Sequence, residues 1–261
     1  MPDINELLES LWQNYARLNP HAAAIHELLS DRDEQIVNDH IAFRTFDDAR
    51  VNIDALSRTF IDLGYEAKGS YKFEAKKLNA RHYEHPDGAL PRVFISELRT
   101  GEFTDELGAT VAGLIDQMPA GALSPDAGRL WNISYADYEQ LRAESEYAAW
   151  LSAFGFCANH FTVFVNALTT FDSLEQLNAF LKDNGHELNS SGGEIKGSPD
   201  QLLEQSSTLA GKVDVEFTDG VHTIPGCYYE FARRYPDAQG QLFSGFIAKS
   251  ADKIFESTDR R

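Results

Sequence analysis

The chain has 261 residues, of which 43% are hydrophobic, enough for one large domain or two fused halves with a sizeable core. Its formal net charge of −18 argues against nucleic acid or an anionic membrane as partner, because phosphate groups would be repelled. Two cysteines argue against a disulfide framework, and the lack of a secretory signal or a long apolar run predicts a soluble cytoplasmic protein.

The N-terminal part of the chain is predicted to be helical and to lead into a first mixed module. In residues 1–35, apolar side chains recur at helical spacing up to Pro20, which indicates a helical lead-in. The first module, residues 36–100, opens with an apolar strand at residues 40–46. The helix that follows has a regularly spaced apolar face and is expected to end at Gly64.

The rest of the first module is predicted to be β-structure, and a helical segment follows it. Residues 67–83 alternate loosely and indicate a hairpin, and residues 92–98 are typical of a closing strand, so the order is β-α-β-β-β. Residues 101–154 break this pattern with apolar spacing that indicates helices on either side of Pro119. Because this segment lacks glycine and serine runs, we expect a helical insert and not a flexible linker.

The β-α-β-β-β order recurs over residues 155–261. A strand at residues 160–166 leads into an amphipathic helix that is expected to end at Gly185. Further strands are predicted over residues 209–217, 226–233 and 243–248. We therefore expect one compact domain built from two similar modules.

The two modules place a histidine at the same point of their first strands. His160 lies 120 residues after His40 (160 minus 40), and the helix-ending glycines, Gly64 and Gly185, are 121 residues apart (185 minus 64). Paired modules of this kind resemble the vicinal-oxygen-chelate architecture. That resemblance implies an α+β fold in which duplicated βαβββ modules form a curved sheet or half-barrel around a metal.

Three side chains are candidate metal ligands, namely His40, His160 and Glu230. Glu230 lies between Tyr229 and Phe231, an apolar place where a buried carboxylate requires a cation. That cation is either a metal or a neighbouring arginine. Two histidines and one carboxylate together suggest a mononuclear iron site with open coordination positions.

Arg44 is a candidate for binding a substrate. Alternation along the first strand places His40 and Arg44 on one face, about 13 Å apart at a rise of ~3.3 Å per residue. If that face points inward, a metal at His40 leaves Arg44 farther along the cavity, where it would bind a carboxylate through two parallel hydrogen bonds. The alternative is an arginine at the rim of the sheet.

Two alternatives to an enzyme with a mononuclear iron site stay open at this point. Glu97 shares one face of the closing strand with Val93 and Ile95, and by the symmetry of the repeat it is a candidate fourth ligand. A four-ligand site would favour a redox-neutral isomerase, lyase or hydrolase over an oxygenase. Glu97 could instead be a solvated residue at the strand end. The second alternative is that the protein binds a small acid without catalysing a reaction.

Four separated segments carry a more specific resemblance, namely residues 38–46, 159–162, 228–232 and 246–257. In sequence and in order they are similar to the 2-oxoadipate dioxygenase/decarboxylase family, in a short form, over nearly the whole chain. The resemblance implies Fe(II) as cofactor, with the ligands His40, His160 and Glu230. It also implies that Arg44, Lys249 and Ser250 contact the substrate.

The reaction that the resemblance implies consumes a small 2-oxo acid and dioxygen. 2-Oxoadipate would lose CO2 and be hydroxylated to 2-hydroxyglutarate, a step of lysine catabolism. Arg44 would have the catalytic role of orienting the distal carboxylate so that the correct carbon faces the reacting oxygen.

Overall fold

A computed structural model describes residues 3–247 of the protein. Two helices, α1 (Ile4–Leu18) and α2 (Pro20–Ser30), form the predicted helical lead-in. Asp3 and Glu6 make a capping box at the start of α1, which satisfies backbone N–H groups that the first turn leaves unpaired. Trp12 on this helix packs edge-on against Phe161, so the lead-in covers one face of the sheet.

The first module follows the predicted β-α-β-β-β order. Its elements are β1 (Asn38–Phe46), α3 (Ile53–Leu56), α4 (Arg58–Asp62), β2 (Glu66–Phe73), β3 (Leu78–Glu84) and β4 (Arg92–Leu98). The predicted single helix is two short helices that meet at Ser57. Gly64 follows them with φ of +96°, a conformation that glycine adopts without the steric cost of a side chain.

The segment between the modules is helical, as predicted. It contains α5 (Asp105–Ile115), α6 (Tyr135–Glu144) and α7 (Glu146–Phe154). Helices α6 and α7 are separate because Ser145 ends the first and caps the second by accepting a hydrogen bond from the backbone N–H of Ala148. Gly155 then turns the chain with φ of +69° where a side chain would collide with the backbone of Gly128.

The second module repeats the order of the first and adds a hairpin. Its elements are β5 (Ala158–Phe164), α8 (Leu174–Asp183), β6 (Lys196–Ser198), β7 (Leu203–Ser207), β8 (Lys212–Phe217), β9 (Gly220–Pro225) and β10 (Glu230–Arg234). Strands β8 and β9 pair only with each other. The strand predicted at residues 209–217 is therefore this hairpin's first strand, and β7, which joins the main sheet, was not predicted.

Within residues 3–247, the main sheet has eight strands in the order β2-β3-β4-β1-β5-β10-β7-β6. Strands β1 and β5 pair antiparallel at its centre, and each has the last strand of its own module, β4 or β10, parallel on its other side. The two halves thus have the same layout, and the sheet curls into a half-barrel. The predicted α+β fold of duplicated modules is confirmed, whereas the division of the chain into four segments stays a prediction.

The length and apolar character of the helices bear on whether the chain could cross a membrane. None of the helices within residues 3–247 combines the length and the apolar character that crossing a bilayer would require.

Candidate metal centre

The three predicted ligands come together on neighbouring strands at the centre of the sheet. His40 lies on β1, His160 on β5 and Glu230 at the start of β10. Nε2 of His160 is 3.2 Å from Oε2 of Glu230, and Nε2 of His40 is 3.7 Å from Oε1. One nitrogen or oxygen atom from each residue falls within 4.8 Å of the others, and all three side chains are buried.

The pKa values of these groups indicate which kind of ligand the site suits. Burial raises the pKa of the Glu230 carboxyl to about 8, although the Gln205 amide opposes the shift. Burial also lowers the pKa of His160 well below its usual range and lowers that of His40. Two neutral imidazoles and a carboxylate that burial destabilises make a donor set suited to a divalent cation, which would restore the charged carboxylate.

Asp39 fixes the orientation of the His40 ring. Its Oδ1 is 2.8 Å from Nδ1 of His40, which directs Nε2 towards the centre. Its two oxygens also accept hydrogen bonds from Nε and Nη2 of Arg234, at 2.6 and 2.8 Å. Burial alone would raise the pKa of Asp39, but the Arg234 guanidinium outweighs it and holds the pKa well below its usual range. The residue is therefore a permanent anion.

The other two ligands are held by neutral groups. Nδ1 of His160 lies 3.0 Å from Oδ1 of Asn159, the residue just before it, as Asp39 comes just before His40. Oε1 of Glu230 accepts a hydrogen bond of 2.6 Å from Nε2 of Gln205 on β7. Such contacts restrict each ligand to the rotamer in which its donor atom faces the centre.

The structure does not support the alternative in which Glu97 is a fourth ligand. Its carboxylate accepts hydrogen bonds from the backbone N–H of Ile53 at 3.0 Å and from the Asn79 amide at 3.1 Å, so it caps α3. The sheet register explains why a different residue corresponds to Glu230. Glu230 is paired with Thr162, which lies 120 residues after Ala42, the same offset that separates the two histidines. Ala42 is in turn paired with Phe94.

Phe94 is therefore the first module's counterpart of Glu230. A phenyl ring thus lies where the symmetry of the repeat would place a fourth metal ligand. The ring of Phe246 packs 4.8 Å from that of Phe94 and 4.8 Å from the ring of His40. Aromatic carbon thus covers the centre on this side and excludes water from it.

The segment that carries Phe246 is not the predicted strand. Residues 243–247 are irregular and are attached through their backbone, and residue 248 lies outside the described part. Arg234 donates hydrogen bonds to the carbonyls of Phe243 and Gly245 at 2.9 and 2.8 Å, and the Tyr71 hydroxyl accepts one from the N–H of Phe246. Arg234 thereby joins this segment to Asp39 and, through it, to His40.

Arg44 lies on the same face of β1 as His40 but is buried and not at a rim. Its Nη1 is 3.2 Å from Oε1 of Glu146 on α7. Its guanidinium lies over two aromatic rings, 4.8 Å from the centroid of Tyr147 and 5.0 Å from that of Trp150. These rings fix the plane of the guanidinium, a geometry suited to binding a carboxylate.

The candidate ligand His160 and a ring stacked on it lie on the side of the centre that faces Arg44. His160 is paired with Ala42 in the sheet, at a level between those of His40 and Arg44. The Tyr228 ring stacks on His160, with centroids 4.6 Å apart and planes 27° apart. The site is therefore elongated, with three candidate metal ligands at one end and the Arg44 guanidinium at the other.

Not every residue expected in the site can be placed. Lys249 and Ser250, the remaining predicted substrate contacts, lie outside the described residues. Conversely, Asp39, Gln205 and Tyr228 take part in the site although the sequence did not single them out. Only Asp39 had a visible signal, since a residue with a short polar side chain precedes the histidine in both copies of the repeat.

Comparisons with known proteins agree over most of the chain. A model of the 2-oxoadipate dioxygenase/decarboxylase family matches residues 1–119 and 127–241. The chloroplastic enzyme of that name from Arabidopsis thaliana is 38% identical over 275 residues, which cover 94% of this chain and 74% of the relative. The chloroplastic/amyloplastic enzyme from Oryza sativa is 36% identical and covers 97% and 78%.

Solved structures show the same relationship. A hydroxyglutarate synthase from Oryza sativa, crystallised with 2-oxoadipate, superimposes with a TM-score of 0.92 at 36% identity, over 97% of this chain and 91% of that one. A protein from Shewanella frigidimarina, named provisionally as a hydrolase, has a TM-score of 0.91 at 53% identity, over 95% and 99%. A glyoxalase-superfamily protein from Ralstonia eutropha, 22% identical with a TM-score of 0.78, shares the fold. Family model, relatives and structures agree, and this chain belongs to the 2-oxoadipate dioxygenase/decarboxylase family.

Proposed function

We propose that this protein is a metal-dependent oxidoreductase that converts 2-oxoadipate and dioxygen into 2-hydroxyglutarate and CO2. The observation that carries the proposal is the elongated buried site, with His40, His160 and Glu230 at one end and Arg44 at the other. A six-carbon 2-oxo diacid has the matching pattern, with an oxygen-rich head for a metal and a distal carboxylate for an arginine. Relatives of this chain carry the corresponding enzyme names.

Fe(II) is the metal that we propose for the centre. Two histidines and one carboxylate are the ligand set of non-haem Fe(II) oxygenases, and they leave coordination positions open. When bound, the iron supplies the activation of dioxygen, which protein side chains cannot perform. His40, His160 and Glu230 would hold it, and the phenyl ring of Phe94 occupies the position where the symmetry of the repeat would place a fourth donor.

The side chains around the ligands contribute orientation and the exclusion of water. Asp39, Asn159 and Gln205 fix the donor atoms before any metal arrives, so binding does not have to order them. Phe94 and Phe246 keep bulk water away from the reacting atoms. Arg44 fixes the far end of the diacid and thereby sets which carbon lies nearest the centre.

Replacing Arg44 by alanine is expected to weaken substrate binding and leave the metal in place. Loss of one partner from a buried charge pair costs about 3 kcal/mol, which corresponds to a KM for 2-oxoadipate roughly 100 times higher. Iron content, measured by metal analysis, should stay at the wild-type level. Arg50→Ala is the matched control, because Arg50 is an exposed arginine paired with Asp48. Equal loss of iron and substrate binding in Arg44→Ala would contradict the assigned role.

Glu146 is expected to compete with the substrate for Arg44. Its side chain is 28% exposed whereas that of Arg44 is 1% exposed, so the glutamate can turn towards solvent and the arginine cannot. Glu146→Gln keeps a hydrogen-bond acceptor but removes the competing charge, and we expect KM for 2-oxoadipate to fall several-fold. Glu139→Gln, which alters a surface pair with Arg142, is the control. A higher KM in Glu146→Gln would show instead that Glu146 holds Arg44 in its binding orientation.

Oxygen uptake tests the proposed function directly. Anaerobically purified, Fe(II)-loaded protein is mixed with 2-oxoadipate in air-saturated buffer, and the product is identified by mass. We expect uptake of one dioxygen for each 2-hydroxyglutarate and CO2 formed. Substrate consumption without oxygen uptake would support a redox-neutral lyase or hydrolase. Binding without turnover would support a small-acid binding protein.

A further inference from the structure

Two adjacent tyrosines have buried hydroxyl groups that find no partner within the described part of the chain. Tyr228 and Tyr229 are both fully buried. Among the residues that the structure describes, neither side-chain hydroxyl has a hydrogen-bond partner. Buried hydroxyls are normally hydrogen-bonded, because a hydroxyl removed from water without a new partner destabilises the fold, so each of these groups requires an explanation.

The two hydroxyls lie on opposite faces of the sheet. The Tyr229 ring packs at 5.4 Å from Phe231 and at 6.0 Å from Trp12 of α1, on the face that the helical lead-in covers. The Tyr228 ring stacks on His160, on the face of the metal centre. Tyr229 is therefore part of the hydrophobic core, whereas Tyr228 forms a wall of the elongated site.

The position of Tyr228 along the site limits what its hydroxyl can contact. Its ring stacks on His160, which is paired with Ala42 and so lies at a level between His40 and Arg44 on β1. Tyr228 is thus a polar residue between the two places proposed to bind the ends of a diacid. A ligand that extends from one end to the other must pass this hydroxyl.

We infer that the Tyr228 hydroxyl donates a hydrogen bond to an oxygen atom of the bound 2-oxo acid. The inference rests on the function proposed above and adds a substrate-contacting residue to it. The carboxylate and keto oxygens of such an acid are acceptors, and they would supply the partner that residues 3–247 do not. The ring has a separate effect, since its stacking on His160 holds that ligand in place.

The test compares Tyr228→Phe with Tyr229→Phe. Each variant removes one buried, unpartnered hydroxyl and keeps the ring, so neither should lower the melting temperature or the iron content. Binding of 2-oxoadipate to the Fe(II)-loaded proteins is measured by calorimetry without oxygen, so that no turnover occurs. We expect Tyr228→Phe to bind about tenfold more weakly, the effect of losing a hydrogen bond to a charged acceptor, and Tyr229→Phe to bind like the wild type.

The alternative outcomes are distinct. Equal binding by all three proteins would overturn the inference and leave the proposed function intact. Equal weakening in both variants would also overturn it, because the effect would then come from packing. Loss of iron in Tyr228→Phe would assign the hydroxyl to support of the metal site and not to the substrate. Absence of binding by the wild type would overturn both the proposed substrate and this inference.

Discussion

Replacing Glu230 by glutamine is expected to abolish metal binding and oxygen uptake without unfolding the protein. The amide has the shape of the carboxylate and can still accept the hydrogen bond from Gln205, but it lacks the charge that the centre contributes to a divalent cation. We expect bound iron to fall to about a tenth of the wild-type level or less, in line with the large contribution of each ligand to a three-ligand site. Metal analysis and oxygen uptake measure the two losses separately.

Glu204→Gln is the matched control for this variant. Glu204 is a largely buried carboxylate on β7, next to Gln205, and it accepts a hydrogen bond from the Tyr235 hydroxyl. Its neutralisation should leave the iron content unchanged. Retention of iron by Glu230→Gln, together with normal affinity, would show that the metal lies elsewhere.

Replacing Asp39 by asparagine is expected to destabilise the protein and to weaken metal binding. Asparagine preserves the volume but removes the charge that faces Arg234, which is buried and remains positive. A buried charge that has lost its partner typically costs about 3–5 kcal/mol, so the midpoint of urea unfolding should fall markedly. The same change removes the orienting contact on His40, and such contacts are worth about 10–100-fold in metal affinity.

An exposed ion pair provides the control for this prediction. Asp48 pairs with Arg50 at 2.8 Å, with side chains that are 29% and 50% exposed. Because solvent screens such pairs, Asp48→Asn should change the unfolding free energy by less than about 1 kcal/mol. If Asp39→Asn proved no more harmful than Asp48→Asn, the Asp39–Arg234 pair would not be the structural link described above.

The first half of the fold was more predictable than the second, and β7 shows why. Strand β4 coincides with its prediction because its apolar residues are continuous. All five residues of Leu203–Ser207 are buried, but most of them are polar. Gln205 binds Glu230, and Ser206 donates a hydrogen bond to Asn178. A strand that is buried through polar contacts lacks the apolar alternation from which strands are inferred.

The candidate site was likewise only partly predictable from the sequence. The internal repeat pointed to His40 and His160, and strand alternation placed Arg44 on the same face as His40 without showing that this face is buried. The partner of Arg44 could not be predicted, because Glu146 lies 102 positions away in a helical insert that has no counterpart in the repeat. Glu97 stayed open as a fourth ligand because the sequence alone does not give the strand register, which places Phe94 at that position.

Glu230 and Phe94 occupy corresponding positions but differ in polarity, and this difference affects how the two proposed co-substrates would reach the centre. One side of the centre is polar, with Tyr228 and Arg44, and suits a dianion. The other is lined by Phe94 and Phe246, a surface that has no affinity for an anion. Dioxygen is a non-polar gas and partitions into such hydrocarbon surroundings more readily than into water. In the proposed reaction the acid and the gas would therefore approach the centre from different sides, and neither would have to displace the other.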